Sequence, residues 1–372
     1  MAYSRTTTTK PSPSSALGSL ARDISLPDDA QDTISSVSWS PAAQHLAAAS
    51  WDGKVRVYDV GSSAGSGAAR GVAALAADGP LLDCDWAEDG TLVVAGGADA
   101  KTHILHVATN QTATLGAHEK PIRGVRFVSI PGSSGAPVVA SGSWDRTVKY
   151  WDLRRRGGGD AVATVACGER VYAMDAKANL LVVATADRQV HLVDLRNPGA
   201  IMRSVSTPFT YQTRAVAAFP DGKGWATAGL EGRCGINVLD EVAAGESNFT
   251  FRCHRTAPPP AANKQQQQPT QVWAVNAVQF HPVRPTVFMT AGSDGTFHFW
   301  DRVAHSRLKG YPAVGGGVGV AITAAAFSRD GAYLAYASGY DWSAGAAANS
   351  PVVRTRLALH PVSLEESTPR KA

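Results

Sequence analysis

Residues Ala140 to Leu153 read ASGSWDRTVKYWDL, and the reading of this stretch decides the fold. Small residues lead into Ser143-Trp144-Asp145, after which Thr147, Lys149 and Trp151 alternate with Arg146, Val148 and Tyr150. Alternation of period two, β-branched and aromatic enrichment, and a Ser/Asp turn between the runs predict strand, tight turn, strand. A lone hairpin is marginal in water, so it must pair with more of its own kind.

The chain supplies those partners by repetition. The turn acid recurs as Asp52, Asp99, Asp145, Asp187, Glu231, Asp294 and Asp341, at spacings of 47, 46, 42, 44, 63 and 47 residues. Several units close on a Trp-Asp-like pair: Tyr58-Asp59, Trp151-Asp152, Val193-Asp194, Leu239-Asp240 and Trp300-Asp301. A period of about 40 to 45 residues with this ending is the signature of WD-repeat blades. Seven turns predict an all-β, seven-bladed WD-repeat β-propeller over residues 22–362. Such a ring closes when an N-terminal strand joins the last blade, and Asp23-Ile24-Ser25-Leu26 is the candidate. The long fifth spacing is explained by APPPAANKQQQQP, a low-complexity loop within 256–270. Residues 1–21 and 363–372 are polar and are expected to be flexible tails.

Composition agrees with many strands joined by turns: 44% hydrophobic and only 18% charged residues, with 36 Gly and 21 Pro. The formal net charge of +4 is mild, so contact with nucleic acid would need a local patch rather than a global field. Cys84, Cys167, Cys234 and Cys253 form no C-x-x-C pair and are expected to be buried thiols of a reducing compartment. No apolar run reaches the roughly 18 residues of a membrane span, and the N-terminus lacks the apolar stretch of a signal peptide. The expectation is a soluble intracellular protein that does not engage a membrane.

No enzyme chemistry converges. There is no P-loop and no G-x-G-x-x-G opening a helix, so no cofactor is expected. Cys253 and His254 are neighbours on a strand and point to opposite faces, so they do not chelate one ion, and no metal site is expected. His118 stands where a histidine can hydrogen-bond inward to a Ser or Thr and thence to the turn Asp, a structural role. The residue before each turn acid should be solvent-exposed, and round the ring it is Trp51, Ala98, Trp144, Ala186, Leu230, Ser293 and Tyr340. Hairpin geometry does not require tryptophan there, and aromatics with Arg dominate interface hot spots. Trp51 and Trp144 therefore read as two jaws for a peptide, with Arg233 beside them to pair with an acidic side chain. On blade six, Trp300 is followed by Arg302, His305, Arg307 and Lys309, an aromatic-plus-cation run suited to a base and its phosphates.

Several segments are more specific than a generic repeat: ISSVSWSP, ASWDGKVRVYDV, SGSWDRTVKYWDLR, LEGRCGINVLD, FTFRCHR, VWAVNAVQFHP, GSDGTFHFWD and ASGYDWSAG. In these the sequence resembles the mRNA-export WD-repeat family of the Rae/Gle type, from about Asp23 to His360. The resemblance implies a propeller that holds the Gle-two-binding hairpin of a pore nucleoporin as a monomer within a heterodimer. It also implies residence in the nucleus at the pore complex and envelope, with shuttling to the cytoplasm. Trp51, Trp144 and Arg233 match its peptide-binding positions. Trp300, Asp301, Arg302, Arg307 and Lys309 match the edge implicated in single-stranded RNA or mRNP contact, where His305 replaces an expected Arg. The nearest rival is the sister family of mitotic-checkpoint propellers, which bind a similar peptide on checkpoint kinases. Tyr340-Asp341-Trp342-Ser343 and the long N-terminal tail speak against it.

Overall fold

The structure, a computed structural model, describes residues 17–368 apart from 62–68, 132–136, 155–159, 241, 243, 257–268, 317–318 and 351. Most of the expected N-terminal tail, the last four residues and the Gln/Pro insert lie outside the described residues. Among the described residues, seven four-stranded antiparallel sheets carry all but one strand pair. Their innermost strands are Ile34–Trp39, Leu81–Trp86, Ile122–Val128, Val171–Lys177, Thr213–Ala218, Val275–Phe280 and Ala321–Phe327. Each packs against the next, and the seventh packs back on the first, so the ring is closed. The exception is a two-stranded ribbon, Arg255–Thr256 with Gln271–Val272, at the base of the insert.

Seven apolar clusters hold the ring, one in each seam between blades. A second strand such as His45–Ser50 sends Leu46 and Ala48 into one seam and Ala47 and Ala49 into the next. Both faces of the sheet are thus buried, which is why these strands read as nearly continuous apolar runs rather than as alternation. Burial at about 25 cal/mol per Å² of apolar surface makes the seams the main source of stability. All four cysteines are buried thiols.

Blade seven is completed from the other end of the chain. Ile24–Ser25 pairs antiparallel with Arg356–Pro361, Ile24 opposite Leu359. Beside it the Asp23 carboxylate accepts from the Tyr336 hydroxyl at 2.6 Å and lies 2.7 Å from His360 Nδ1. Two places differ from the tails expected of the sequence. Gly18 N–H donates to the Gly310 carbonyl, and Leu20 packs on the seam between blades six and seven. Leu364–Ser367 forms a helical turn with a capping box, Ser363 accepting from Glu366 N–H and Glu366 accepting from Ser363 N–H. That reciprocal pair satisfies two helix-end donors, so 363–368 takes a capped turn where the sequence suggested a tail. Among the described residues no helix is long and apolar enough to cross a membrane.

All seven innermost strands carry a bulge near their start, after the first residue in six blades and after the second, Ile322, in blade seven. The extra residues are Ser35, Leu82, Arg123, Tyr172, Arg214, Asn276 and Thr323. A bulge bends the strand and re-aims one side chain. Here it brings Arg123 and Arg214 into the lining of a central channel of about 920 Å³.

Candidate functional site

The hairpin of blade three, Val138–Ser143 and Thr147–Asp152, places two indoles seven residues apart in opposite surroundings. Trp151 is 5% exposed, and its indole N–H donates to Ser141 Oγ at 2.7 Å. Ser141 Oγ lies 2.8 Å from His118 Nε2, and His118 Nδ1 lies 2.7 Å from Asp145. An ionised carboxylate only accepts, so His118 donates from Nδ1 and accepts from Ser141 at Nε2. The expected structural histidine is therefore present, linked to both partners directly. Burial lowers the His118 pKa despite the pull of Asp145. Burial works to raise the Asp145 carboxyl, but bonds from Thr147 and His118 outweigh it and hold it below its ordinary value.

The same relay recurs on blade six, with Trp300 Nε1 on Thr290 Oγ1 at 2.9 Å, Thr290 2.9 Å from His254 Nε2, and His254 Nδ1 2.9 Å from Asp294. His298 lies close by, so His254, Asp294 and His298 gather within 4.8 Å. Both nitrogens of His254 are already engaged, so the grouping reads as a hydrogen-bond relay and not as a ligand set.

The turns between second and third strands lie on one rim of the ring, here the upper rim. Trp144 is 36% exposed there, with its backbone N–H on the Pro121 carbonyl and no hydrogen bond from its indole among the described residues. Trp51 shares that rim from blade one but is half-buried, because its ring stacks on Trp342 of blade seven at 5.3 Å and 14°. The pair expected of the sequence is thus one open indole and one partnered indole. Tyr340, expected to be exposed, is 9% exposed: its hydroxyl donates to the Gly345 carbonyl and its ring sits 5.5 Å from Trp342. Leu230 is 37% exposed on blade five.

Arg233 begins the third strand of blade five on the same rim, half-buried, with its guanidinium 3.5 Å from Glu231. Arg255 donates to the Glu231 carbonyl at 2.8 Å and so fixes the turn that carries Arg233. Arg146, Arg170, Arg188 and Arg214 are exposed on or beneath this side of the rim. Glu169 pairs with two of them, at 3.8 Å to Arg146 and 3.4 Å to Arg170. Arg123, lining the channel below, makes no hydrogen bond or ion pair with a described residue, and burial pushes its pKa down to about 10. Glu119 and Asp187 are exposed on this side as well, but among the described residues neither forms an ion pair with these arginines, so the rim keeps arginines that a partner's carboxylates would meet.

On blade six the run splits in two. Trp300 is half-buried with Phe251 at 4.6 Å, and Asp301 is buried and accepts from Val303 N–H at 2.9 Å, shaping the turn. Asp301 is thus placed as a turn cap and not as an open contact. Arg302 lies 4.4 Å over the Phe219 ring of blade five, whereas Arg307 is exposed on the outer strand with Lys309 half-buried nearby. His305 packs 3.9 Å from Phe249, and burial lowers its pKa, so it adds no charge at neutral pH. The residue that sequence reasoning passed over is Trp342. The YDWS run held the signal, but the looser seventh turn hid its place in the repeat.

Comparison with known proteins places this geometry. The WD domain, G-beta repeat, matches at residues 25–59, 109–152 and 265–301. The WD40 repeat protein poxJ of Penicillium oxalicum is 46% identical over 354 residues, covering 95% of this chain and 97% of that protein. The mRNA export factor GLE2 of Chaetomium thermophilum is 42% identical over 367 residues, covering 98% and 97%. The poly(A)+ RNA export protein of Schizosaccharomyces pombe is 43% identical over 357 residues, covering 96% and 95%. With seven closed blades and relatives matched over almost their whole length, the chain belongs to the family of WD-repeat mRNA export factors.

Proposed function

We propose that this protein is a non-catalytic adaptor of the nuclear pore. It holds a hairpin segment of a pore nucleoporin on its upper rim, in a one-to-one complex, and supports mRNA export. Trp144 and Trp51 supply apolar anchors and Arg233 an anion contact. The observation that carries the reading is the open Trp144 indole on a rim whose arginines outnumber their acidic partners. An exposed indole costs solubility and contributes nothing to the seams, so its use lies in a partner.

Single-stranded RNA is the second ligand, met at the blade-six edge by Arg302, Arg307 and Lys309, with Trp300 and Asp301 shaping the surface behind them. Nuclear residence at the pore, with passage to the cytoplasm, follows from that pair of partners.

The test is a competition titration in which a nucleoporin hairpin peptide and a checkpoint-kinase peptide compete for the protein. The nucleoporin peptide is expected to bind more tightly. Equal or reversed affinities overturn the assignment in favour of a checkpoint role.

A further inference from the structure

The residue after the turn acid adopts a left-handed backbone in every blade: Gly53, Ala100, Arg146, Arg188, Gly232, Gly295 and Trp342, with φ between 60° and 77°. Three blades fill the position with glycine, the residue with no Cβ to clash there. Blade seven fills it with the bulkiest side chain available, at φ 61°. A left-handed tryptophan is disfavoured by the turn itself, so the side chain must be there for what it does outside the turn.

Its surroundings show how it is held. The indole N–H donates to Thr33 Oγ1 at 3.1 Å, and the Thr33 hydroxyl donates to the Tyr340 carbonyl at 2.8 Å. Those bonds tie the ring across the seam between blades seven and one, flat against Trp51. Both rings remain half-buried on the upper rim.

We propose that Trp342 is a partner-binding residue that forms, with Trp51, a two-indole platform seating an apolar side chain of an acidic peptide segment. The platform supplies flat apolar area with its geometry set in advance, which lowers the ordering cost of binding. The acidic character of the peptide follows from the opposite side of the same rim, where among the described residues Arg146, Arg170 and Arg233 share Glu169 and Glu231 as ion-pair partners, Arg188 has none, and Arg214 in the channel lining is drawn to Asp341. One chain crossing the rim would place an apolar side chain on the indoles and carboxylates on the arginines. The inference rests on the peptide-binding reading above and adds the residue that sets which side chain is accepted.

The experiment compares Trp342→Gly with Trp144→Ala in the full chain, titrated with the nucleoporin hairpin peptide and melted in parallel. Glycine is what blades one, five and six use at this position, so W342G relieves the left-handed backbone while removing the ring with its bond to Thr33 and its stack on Trp51. Expected are a melting temperature close to the parent's and affinity weakened about tenfold or more, the size of a hot-spot loss. W342G binding like the parent while W144A binds weakly overturns the platform and leaves the peptide reading intact. A parent that does not bind the peptide overturns both. Should W342G melt well below the parent, Trp342→Leu replaces it, filling the seam without a flat face. The same tenfold loss is expected of it, and parent-like affinity overturns the proposal.

Discussion

Trp144 and Trp151 are carried by one hairpin and differ in everything that matters. Trp151 has its N–H satisfied by Ser141 and its ring in the seam with blade two, whereas Trp144 has an open ring at the turn. The difference separates two uses of one residue type. An indole inside a relay stabilises the ring, and an indole on the rim is surplus to folding. Blade six repeats the first use with Trp300, and blades one and seven modify the second by stacking Trp51 on Trp342.

Substitution would break or sharpen this contrast. Trp151→Ala removes a buried aromatic and strands the Ser141–His118 relay, so a loss of about 3 to 5 kcal/mol in unfolding free energy is expected. In the same denaturant titration Trp144→Ala should change stability by less than about 0.5 kcal/mol. Equal losses from the two would erase the distinction. The order reverses for binding: Trp144→Ala should weaken the nucleoporin hairpin peptide by about 2 kcal/mol, or roughly thirtyfold, in a calorimetric titration.

The two relays should also differ in acid. Burial lowers the pKa of His118 on blade three. On blade six it drives His298 well down, aided by repulsion from His254 and Arg307. Both groups bind fewer protons folded than unfolded below the ordinary histidine pKa of about 6.5. Their contribution is therefore complete above that pH and is lost as pH falls through it. The melting temperature should drop between pH 7 and about pH 5, and His298→Gln should flatten that dependence more than a control change at half-buried His106. The smallest effect belongs to RNA. Arg307→Gln and Lys309→Gln should each lower the slope of log affinity against log salt by about 0.7, and an unchanged slope would place the contact elsewhere.

Much of this was legible in residues alone. The period-two runs and turn acids mark the seven hairpins, and Asp23–Leu26 marks the closing strand because a ring needs one. What was not legible came from features that cancel periodicity. A bulge in each innermost strand shifts the alternation by one, so nothing in the pattern around Arg123 or Arg214 shows that they enter the channel. Trp342 escaped because a left-handed position cannot be told from its neighbours by hydrophobicity. Tyr340 was misplaced because solvent exposure was inferred for all seven turns, whereas the long seventh loop folds back over its own tyrosine. The Ser363-to-Glu366 capping box was readable in S-x-x-E, but the polar composition around it argued for a tail.

The pairing of Ile24 with Leu359 has a consequence for how the protein is made. The strand Ile24–Ser25 leaves the ribosome well before its partner Arg356–Pro361, since every other blade is synthesised between them. Until then the nascent chain presents an unfinished arc with an apolar edge at each end. Contacts of such wide sequence separation form late and slowly, so the arc is the species most exposed to aggregation. Translation arrested before Arg356 should therefore leave six stacked blades that bind chaperones, and release of the strand Arg356–Pro361 should set the circle all at once.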